Sequence, residues 1–470
     1  METNATINRK KKIVDLPLKS LDLFSGIGGF ARGLRFISDT VAFCDLSVRS
    51  CAVLATNKAL KGVPIIPDVT KIDKSVLQDL SPNMITGGFP CQDISSMKMI
   101  KEGEVRAGLD GPRSKLFFEI PRIVREAKGT IKHVFLENSP RMVGPDSDRV
   151  IEELQKVGLY HIAYGIFSAA DVGALQVRKR WFCLASSRPQ DLPLMDHEQL
   201  NKAIFHTWTK DVPRVIPLPK DPKAKVSFLH RNSLLGNSVV PQVVAFAYQN
   251  LATVLRESPR SVKSLLSQMQ SNPKQEKQSK SLPKLGSIVL VITDPKRKNE
   301  LARGGIANND NNETPHEIRR TIRRPSLSVN PPMPPKLDFV MKNSDGKSPQ
   351  RIPKKWQTPR HSKETWYQTR KLNDRALWNL ANGIYYEVGT RKHCPQAGDD
   401  INNMADYCTI NPRFVENLMG YPMDWTKTDP NTKYPPPCDK THSFLKKKTT
   451  VLPKCTREEE KHYMSNGKNV

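Results

Sequence analysis

Between residues 17 and 186 the apolar positions fall into short runs separated by stretches with helical spacing. The runs Ser20–Leu23, Val41–Asp45, Met84–Gly87, Val134–Glu137, His161–Ser168 and Trp181–Ala185 read as strands. Phe30–Phe36, Val48–Asn57, Leu116–Glu126 and Asp148–Val157 carry the spacing of helices with one buried face. Strand and helix in alternation predict an α/β sheet with parallel strands. In such open sheets ligands bind beyond the carboxyl ends of the strands, so the residues that follow each run are where chemistry is expected.

The pattern then changes. Residues 186 to 230 are Pro-rich and mixed, Gly236 reads as a turn, and Pro241–Leu255 reads as a helix. From 257 to 350 Lys, Arg, Ser, Asn, Gln and Pro dominate, as in Pro331-Pro332-Met333-Pro334-Pro335, which predicts a flexible linker. Within it Ser287–Ile292 could add one strand. Aromatic residues return between Trp356 and Trp425, so 351–430 is expected to form a second, smaller and basic unit. Residues 1–16 read as a basic tail, 17–256 as the main domain, and 431–470 as a disordered tail.

Charge narrows the partner. The chain carries 74 Lys+Arg against 47 Asp+Glu, a formal net charge of +27, and 257–470 is the more basic part per residue. This fits a polyanion, and nucleic acid better than a membrane, because there is no basic amphipathic helix and no apolar run near about 18 residues. Residues 1–12 have no apolar core, so a secretory signal is not expected. The eight cysteines lack CxxC and zinc-type spacing, which predicts free thiols and no metal site, although Cys394, Cys408, Cys438 and Cys455 fall in one stretch.

Candidate chemistry sits at the strand ends. Leu21-Asp22-Leu23-Phe24-Ser25-Gly26-Ile27-Gly28-Gly29 joins a strand to a helix through glycines that let a ligand approach the backbone. Alone, that turn suits a dinucleotide site or an ordinary tight turn equally. Asp45 ends the next strand, where an acid would hold ribose hydroxyls, and a helix cap is its plainer explanation. Gly87-Gly88-Phe89-Pro90-Cys91-Gln92-Asp93-Ile94-Ser95 places a cysteine just after a strand, as a nucleophile is placed. A free thiol has a pKa of about 8.5 and needs a helix terminus or basic neighbours to form thiolate, and a single cysteine is more often packing. Cys44, Cys51 and Cys183 lie in element patterns and read as core. Glu137 follows the fourth run, and Gln176-Val177-Arg178-Lys179-Arg180 puts three polar side chains on one side of an extended segment.

Taken in order with Gly236-Asn237-Ser238-Val239, these motifs resemble the DNA (cytosine-5)-methyltransferase family of bacteria, phages and large viruses. The resemblance implies a class I S-adenosylmethionine-dependent fold, a Rossmann-like, parallel-rich α/β sheet with a second, smaller recognition domain. It implies S-adenosyl-L-methionine as cofactor, with Phe24 stacked on the adenine and Gly26, Gly28, Asp45, Leu46, Asp68, Val69, Pro90, Asn237 and Ser238 around it. It implies double-stranded DNA as partner, a monomeric intracellular enzyme, and a cognate restriction endonuclease as a candidate companion. In such enzymes Cys91 would attack cytosine carbon 6, making carbon 5 nucleophilic. Glu137 would serve ring nitrogen 3. Arg180 would grip oxygen 2, and Arg178 would brace the cysteine loop. The target base would be flipped out of the duplex, and a mobile loop, residues 92–107, would close over it with Ser95 and Lys98 near phosphate, Gln176 beside it.

The chain departs from the family pattern in places. Asp45 stands where Glu is usual, Ser139 where Val is usual, and Leu175 where Pro is usual. The stretch between Arg180 and Gly236 is short for a recognition region. Trp356-Gln357-Thr358-Pro359-Arg360 and Asn411 to Thr426 resemble recognition-region elements of viral and phage relatives. Specificity is therefore expected behind the catalytic domain, with Arg360, Arg370, Lys371 and Arg375 as base-edge candidates. Two other functions compete: an RNA cytosine-5 methyltransferase, as in the compact tRNA enzymes that share these motifs, and a catalytically silent DNA-binding relative.

Overall fold

The computed structural model describes residues 17–90, 114–174, 176–206, 212, 215–217, 221–258, 287–293, 317–324 and 408–428. Cys91, Ser95, Lys98, the loop 92–107, Leu175, both tails, 351–407, and Cys394, Cys438 and Cys455 lie outside them.

Parallel pairing starts from β1 (Leu18–Leu23), which lies between β2 (Ser38–Cys44) and β4 (Met84–Gly88). The short β3 (Ile65–Ile66) flanks β2, and β5 (His133–Asn138) flanks β4, again in parallel. β7 (Lys179–Ser186) then runs antiparallel between β5 and β6 (His161–Ser168). All six strands expected from the apolar runs are present. Because the chain moves outward from β1 in both directions, the strand order reverses between β1 and β4. A crevice opens above their carboxyl ends, and the glycine turn and the Pro90 segment sit there.

The sheet extends further than expected. β9 (Ser287–Thr293) pairs antiparallel with β6, and β10 (Glu317–Arg323) pairs with β9, giving a nine-stranded sheet among the described residues. Residues 257–350 are thus not linker throughout. β9 is apolar and buried. β10 is an edge strand: Arg319 is held by Asp148 and by Glu317 of its own strand, and Arg324, just past the strand's end, by Asp171 at 2.8 Å. Charged side chains also protect a sheet edge from unwanted pairing.

Helices cover both faces. α1 (Gly29–Gly33), α6 (His197–Ile204) and α8 (Pro241–Glu257) lie on one side, where Phe135 packs against Phe182 and Tyr248 with ring centroids 5.7 and 5.6 Å apart. On the other side α4 (Glu119–Glu126) and α5 (Pro145–Lys156) bury Ile120, Ile123, Val150 and Leu154 against Ile85, Leu136 and Cys183. α2 (Val48–Thr56) and α3 (Lys74–Leu80) complete the parallel half. α7 (Pro222–Asn237) includes Gly236, so the expected turn begins two residues later, at Ser238. The stretch 227–257 holds an 18-residue window apolar enough to cross a membrane by length and composition, but 94% of that window is buried inside the fold, as in a core helix.

The most distant segment is also part of this unit. β11 (Cys408–Ile410) pairs with β8 (Val215–Pro217), and α9 (Pro412–Leu418) packs on α7. Here the expected separate unit, 351–430, meets a different placement for 408–428. The reason is burial: Phe414, Val415, Leu418, Met419, Tyr421 and Trp425 belong to the same apolar cluster as α8.

Asp22 is a buried carboxyl near the end of β1. Thr86 Oγ1 donates to its Oδ1 at 2.7 Å, while burial pushes its pKa up to about 7. A carboxyl raised in the folded state favours folding below the unfolded pKa, and that contribution is lost as pH rises through about 7. Asp22→Asn is therefore expected to raise the Tm by several degrees at about pH 8 and to change it much less at about pH 5. Thermal melts at both pH values check this; an equal shift at both would assign the effect to packing.

Candidate active site

The glycine turn is held in an unusual backbone shape. Phe24, Gly26 and Gly28 have φ of 54°, 55° and 80°, and a positive φ at an aromatic residue costs energy that surrounding contacts must offset. Ser25 supplies them: its hydroxyl donates to Asp22 O at 2.6 Å, and its N–H donates to Cys44 O at 3.0 Å. A Cβ added to Gly26 would meet nothing within 4 Å, so this residue presents bare backbone to open space. That is the cradle a nucleoside-bearing ligand needs.

Asp45 lies directly beside it. Its carboxylate accepts from Gly26 N at 2.7 Å and Ser47 N at 2.8 Å. Burial pushes its pKa up to about 6 against the pull of these N–H groups. Leu46 next to it is 54% exposed, an apolar side chain without cover. On the neighbouring strand end Asp68 Oδ1 accepts from the N–H and hydroxyl of Thr70, and Val69 is buried. Asp45 N donates to Ile66 O, so the two acids lie on adjacent strand ends. Phe24 is half-buried, and Pro90 lies across the crevice at the end of the β4 segment. These residues fit S-adenosylmethionine: bare backbone for close approach, an acid for ribose hydroxyls and apolar surface for adenine.

Beyond β4 a second group of residues converges. Gly88 pairs with Glu137 across the β4–β5 ladder. A Cβ on Gly88 would stand 2.8 Å from Glu137 Oε2, so the missing side chain is the room the carboxylate occupies. The other oxygen, Oε1, is 2.9 Å from Arg180 Nε. Burial raises the Glu137 pKa, while Arg180 and then Arg178 oppose the rise. Asn138 Nδ2 donates to Phe89 O at 3.2 Å, which ties the end of β5 to the segment leading into Cys91.

Gly88→Ala is accordingly expected to displace the Glu137 carboxylate, not the backbone. It should lower kcat by about 10- to 100-fold with the Tm almost unchanged. Steady-state kinetics and a thermal melt check this together; unchanged kcat would show that the carboxylate position is immaterial.

Two polar residues of the arginine motif have buried partners. Gln176 is fully buried and its Nε2 donates to Leu418 O at 2.7 Å, in the 411–426 segment. Arg178 is 3% exposed, and its Nη2 donates to Gly236 O at 3.0 Å and Ser238 O at 2.7 Å. Among the described residues it clamps the Gly-Asn-Ser-Val turn, while the cysteine loop it was expected to brace lies outside them. Ser238 is buried with its hydroxyl on Leu235 O, and Asn237 is exposed at the end of α7.

Sequence reading passed over Gly88, Asn138, Tyr421 and Trp425 as site residues. The glycine doublet before Phe89 was a usable signal for Gly88. Trp425 had none, since its partner is 398 residues away.

Comparison with known proteins adds a family. Residues 18–434 match the family model described as C-5 cytosine-specific DNA methylase. The type II methyltransferase M.CviJI of Paramecium bursaria Chlorella virus IL3A is 32% identical over 246 residues, 51% of this chain and 60% of that protein. M.Sau3AI of Staphylococcus aureus is 27% identical over 207 residues, 40% of this chain and 48% of its own. The chain thus spans about half the length of the curated relatives it matches. Among solved structures, the S. pombe Dnmt2 methyltransferase shares 22% identity over 36% of this chain and 50% of that one, at a TM-score of 0.29.

Proposed function

Since the chain belongs to the C-5 cytosine-specific DNA methylase family, we propose that it methylates carbon 5 of cytosine in double-stranded DNA. The observation that carries this reading is the Glu137 carboxylate seated over Gly88, three residues before Cys91 in the sequence, and bound by Arg180.

Cytosine carbon 5 is too poor in electrons to accept a methyl group unaided. Cys91, as thiolate, adds to carbon 6 and pushes electron density onto carbon 5 and nitrogen 3. Glu137, its pKa raised by burial, gives its proton to nitrogen 3 and so absorbs the developing charge. Arg180 holds the Glu137 carboxylate, and in this reading it also serves the base oxygen. S-adenosylmethionine, when bound by Phe24, Gly26, Asp45, Leu46, Asp68 and Val69, supplies an electrophilic methyl group. Loss of the carbon 5 proton to a base or water then expels Cys91, which restores the aromatic ring and the free enzyme.

DNA as substrate implies an intracellular setting and extrusion of the target base. The named relatives are type II methyltransferases, and for this chain we extend that to one short DNA sequence, with an endonuclease of matching specificity as the candidate companion. For residues 351–407 the reading as target recognition stands on the basic residues Arg360, Arg370, Lys371 and Arg375.

Duplex DNA carrying 5-fluorocytosine tests the mechanism. Fluorine at carbon 5 cannot leave as a proton, so the adduct with Cys91 should persist. Mass spectrometry should find the nucleotide on the peptide containing Cys91 only when S-adenosylmethionine is present. An adduct elsewhere, or transfer without any adduct, contradicts the assignment.

A further inference from the structure

The segment 411–426 reaches into three of the motifs that build the site. Gln176 Nε2 donates to Leu418 O at 2.7 Å, Tyr421 Oη donates to Val239 O at 2.9 Å, and Trp425 Nε1 donates to Ile27 O at 2.9 Å. The last contact is the informative one. Ile27 lies inside the turn whose three positive φ angles make it a costly shape to hold. Ser25 and Asp45 fix the first half of that turn from the β2 side. The carbonyl of Ile27, between Gly26 and Gly28, is fixed by the indole N–H.

Trp425 also bonds the helix that follows β2. Its own carbonyl accepts from Asn57 Nδ2 at 3.0 Å, at the end of the helix that follows Asp45 and Leu46. The ring is 6% exposed, with the Tyr421 ring centroid 5.5 Å away and the Arg32 guanidinium 5.0 Å above it. Arg32 belongs to α1, which the glycine turn opens. One residue is therefore bonded to the glycine turn and to the end of α2, and stacked under an arginine of α1.

Behind it the segment is anchored independently of the turn. Arg231 Nη2 is 2.9 Å from Glu416 Oε1, and Gln242 Nε2 donates to Gly420 O at 2.7 Å. Arg413 and Asp424 form a more exposed pair on its outer side.

We infer that Trp425 is a positioning residue for S-adenosylmethionine, holding the Phe24–Gly29 turn in its binding shape through the Ile27 carbonyl. This rests on the reading of that turn as the cofactor site. The residue acts on cofactor affinity and leaves base chemistry alone, because Cys91, Glu137 and Arg180 belong to other strand ends. A tryptophan that serves only to fill the core would not separate the two.

The test uses the full chain and S-adenosylhomocysteine as probe, followed by calorimetry. Trp425→Phe keeps an aromatic ring and removes the N–H, so the dissociation constant should rise by about tenfold, the value of one lost hydrogen bond to a buried carbonyl. The KM for S-adenosylmethionine should rise in step, with kcat at saturating cofactor and the KM for DNA within about twofold of the unmodified chain. Arg413→Ala, which loosens the outer face of the same segment, should leave the cofactor constants unchanged. On the unmodified chain, adding S-adenosylhomocysteine should slow amide exchange in residues 421–426 as well as 24–29, which requires no variant to fold. Probe affinity within about twofold for Trp425→Phe, or exchange at 421–426 unaltered by the probe, overturns the inference while leaving the methyltransferase reading intact. Failure of the unmodified chain to bind the probe overturns both.

Discussion

Glu137→Gln is expected to lower kcat by about 10²–10⁴-fold while leaving the fold and cofactor affinity nearly unchanged. Glutamine preserves the shape over Gly88 and an oxygen for Arg180 Nε, now 2.9 Å from Glu137 Oε1. What it cannot do is release a proton to nitrogen 3. The pH dependence carries the same signature. Burial raises the Glu137 pKa, so the acid keeps its proton to higher pH than an ordinary carboxyl. In the unmodified enzyme kcat should fall as pH rises through that value, and the Gln variant should lack this fall. A kcat within about threefold of the original would mean that another group serves nitrogen 3.

The second large effect concerns stability. Glu416→Ala is expected to destabilise the chain by about 3–5 kcal/mol, because it leaves a buried guanidinium short of its partner. Glu416 is 0% exposed and its two oxygens are fully engaged. Oε1 accepts from Arg231 Nη2 at 2.9 Å and Thr426 N at 2.8 Å, and Oε2 from Asp424 N at 2.6 Å. Arg231 keeps only Thr426 Oγ1 at 2.9 Å and the looser contact to Asp424 Oδ1 at 3.3 Å. The Tm should drop by about 10 °C. Replacing both partners together, Arg231→Met with Glu416→Leu, should cost much less, since no unpaired charge remains. A Glu416→Ala chain that melts within a degree or two of the original would show that 408–428 contributes little to the fold.

The parallel half of the sheet was legible because buried strands are apolar runs and the glycine turn is a local signal. β9 was visible for the same reason, as an unbroken apolar run in a polar region. β10 was not: its sequence, Glu-Ile-Arg-Arg-Thr-Ile-Arg, is that of a polar edge strand, and Arg319 finds its distant partner, Asp148, only in the fold. The site was legible as a set of strand ends, and Glu137 and Arg180 do meet. The partners of Arg178 and Gln176 were not legible, because alternation in an extended segment says which residues share a side, not what that side faces. In the structure it faces the turn after α7 and the 411–426 segment. That segment carried a recognisable pattern, but its partners lie hundreds of residues away, and periodicity reports local faces only.

The account stands or falls on transfer of a methyl group to cytosine by Cys91. Bisulfite sequencing of DNA from cells expressing the unmodified chain, beside cells expressing Cys91→Ala, measures this directly. The account predicts protected cytosines in one short sequence context with the unmodified chain and none with the variant. Equal protection with Cys91→Ala, or no protected cytosine with either chain, would contradict it.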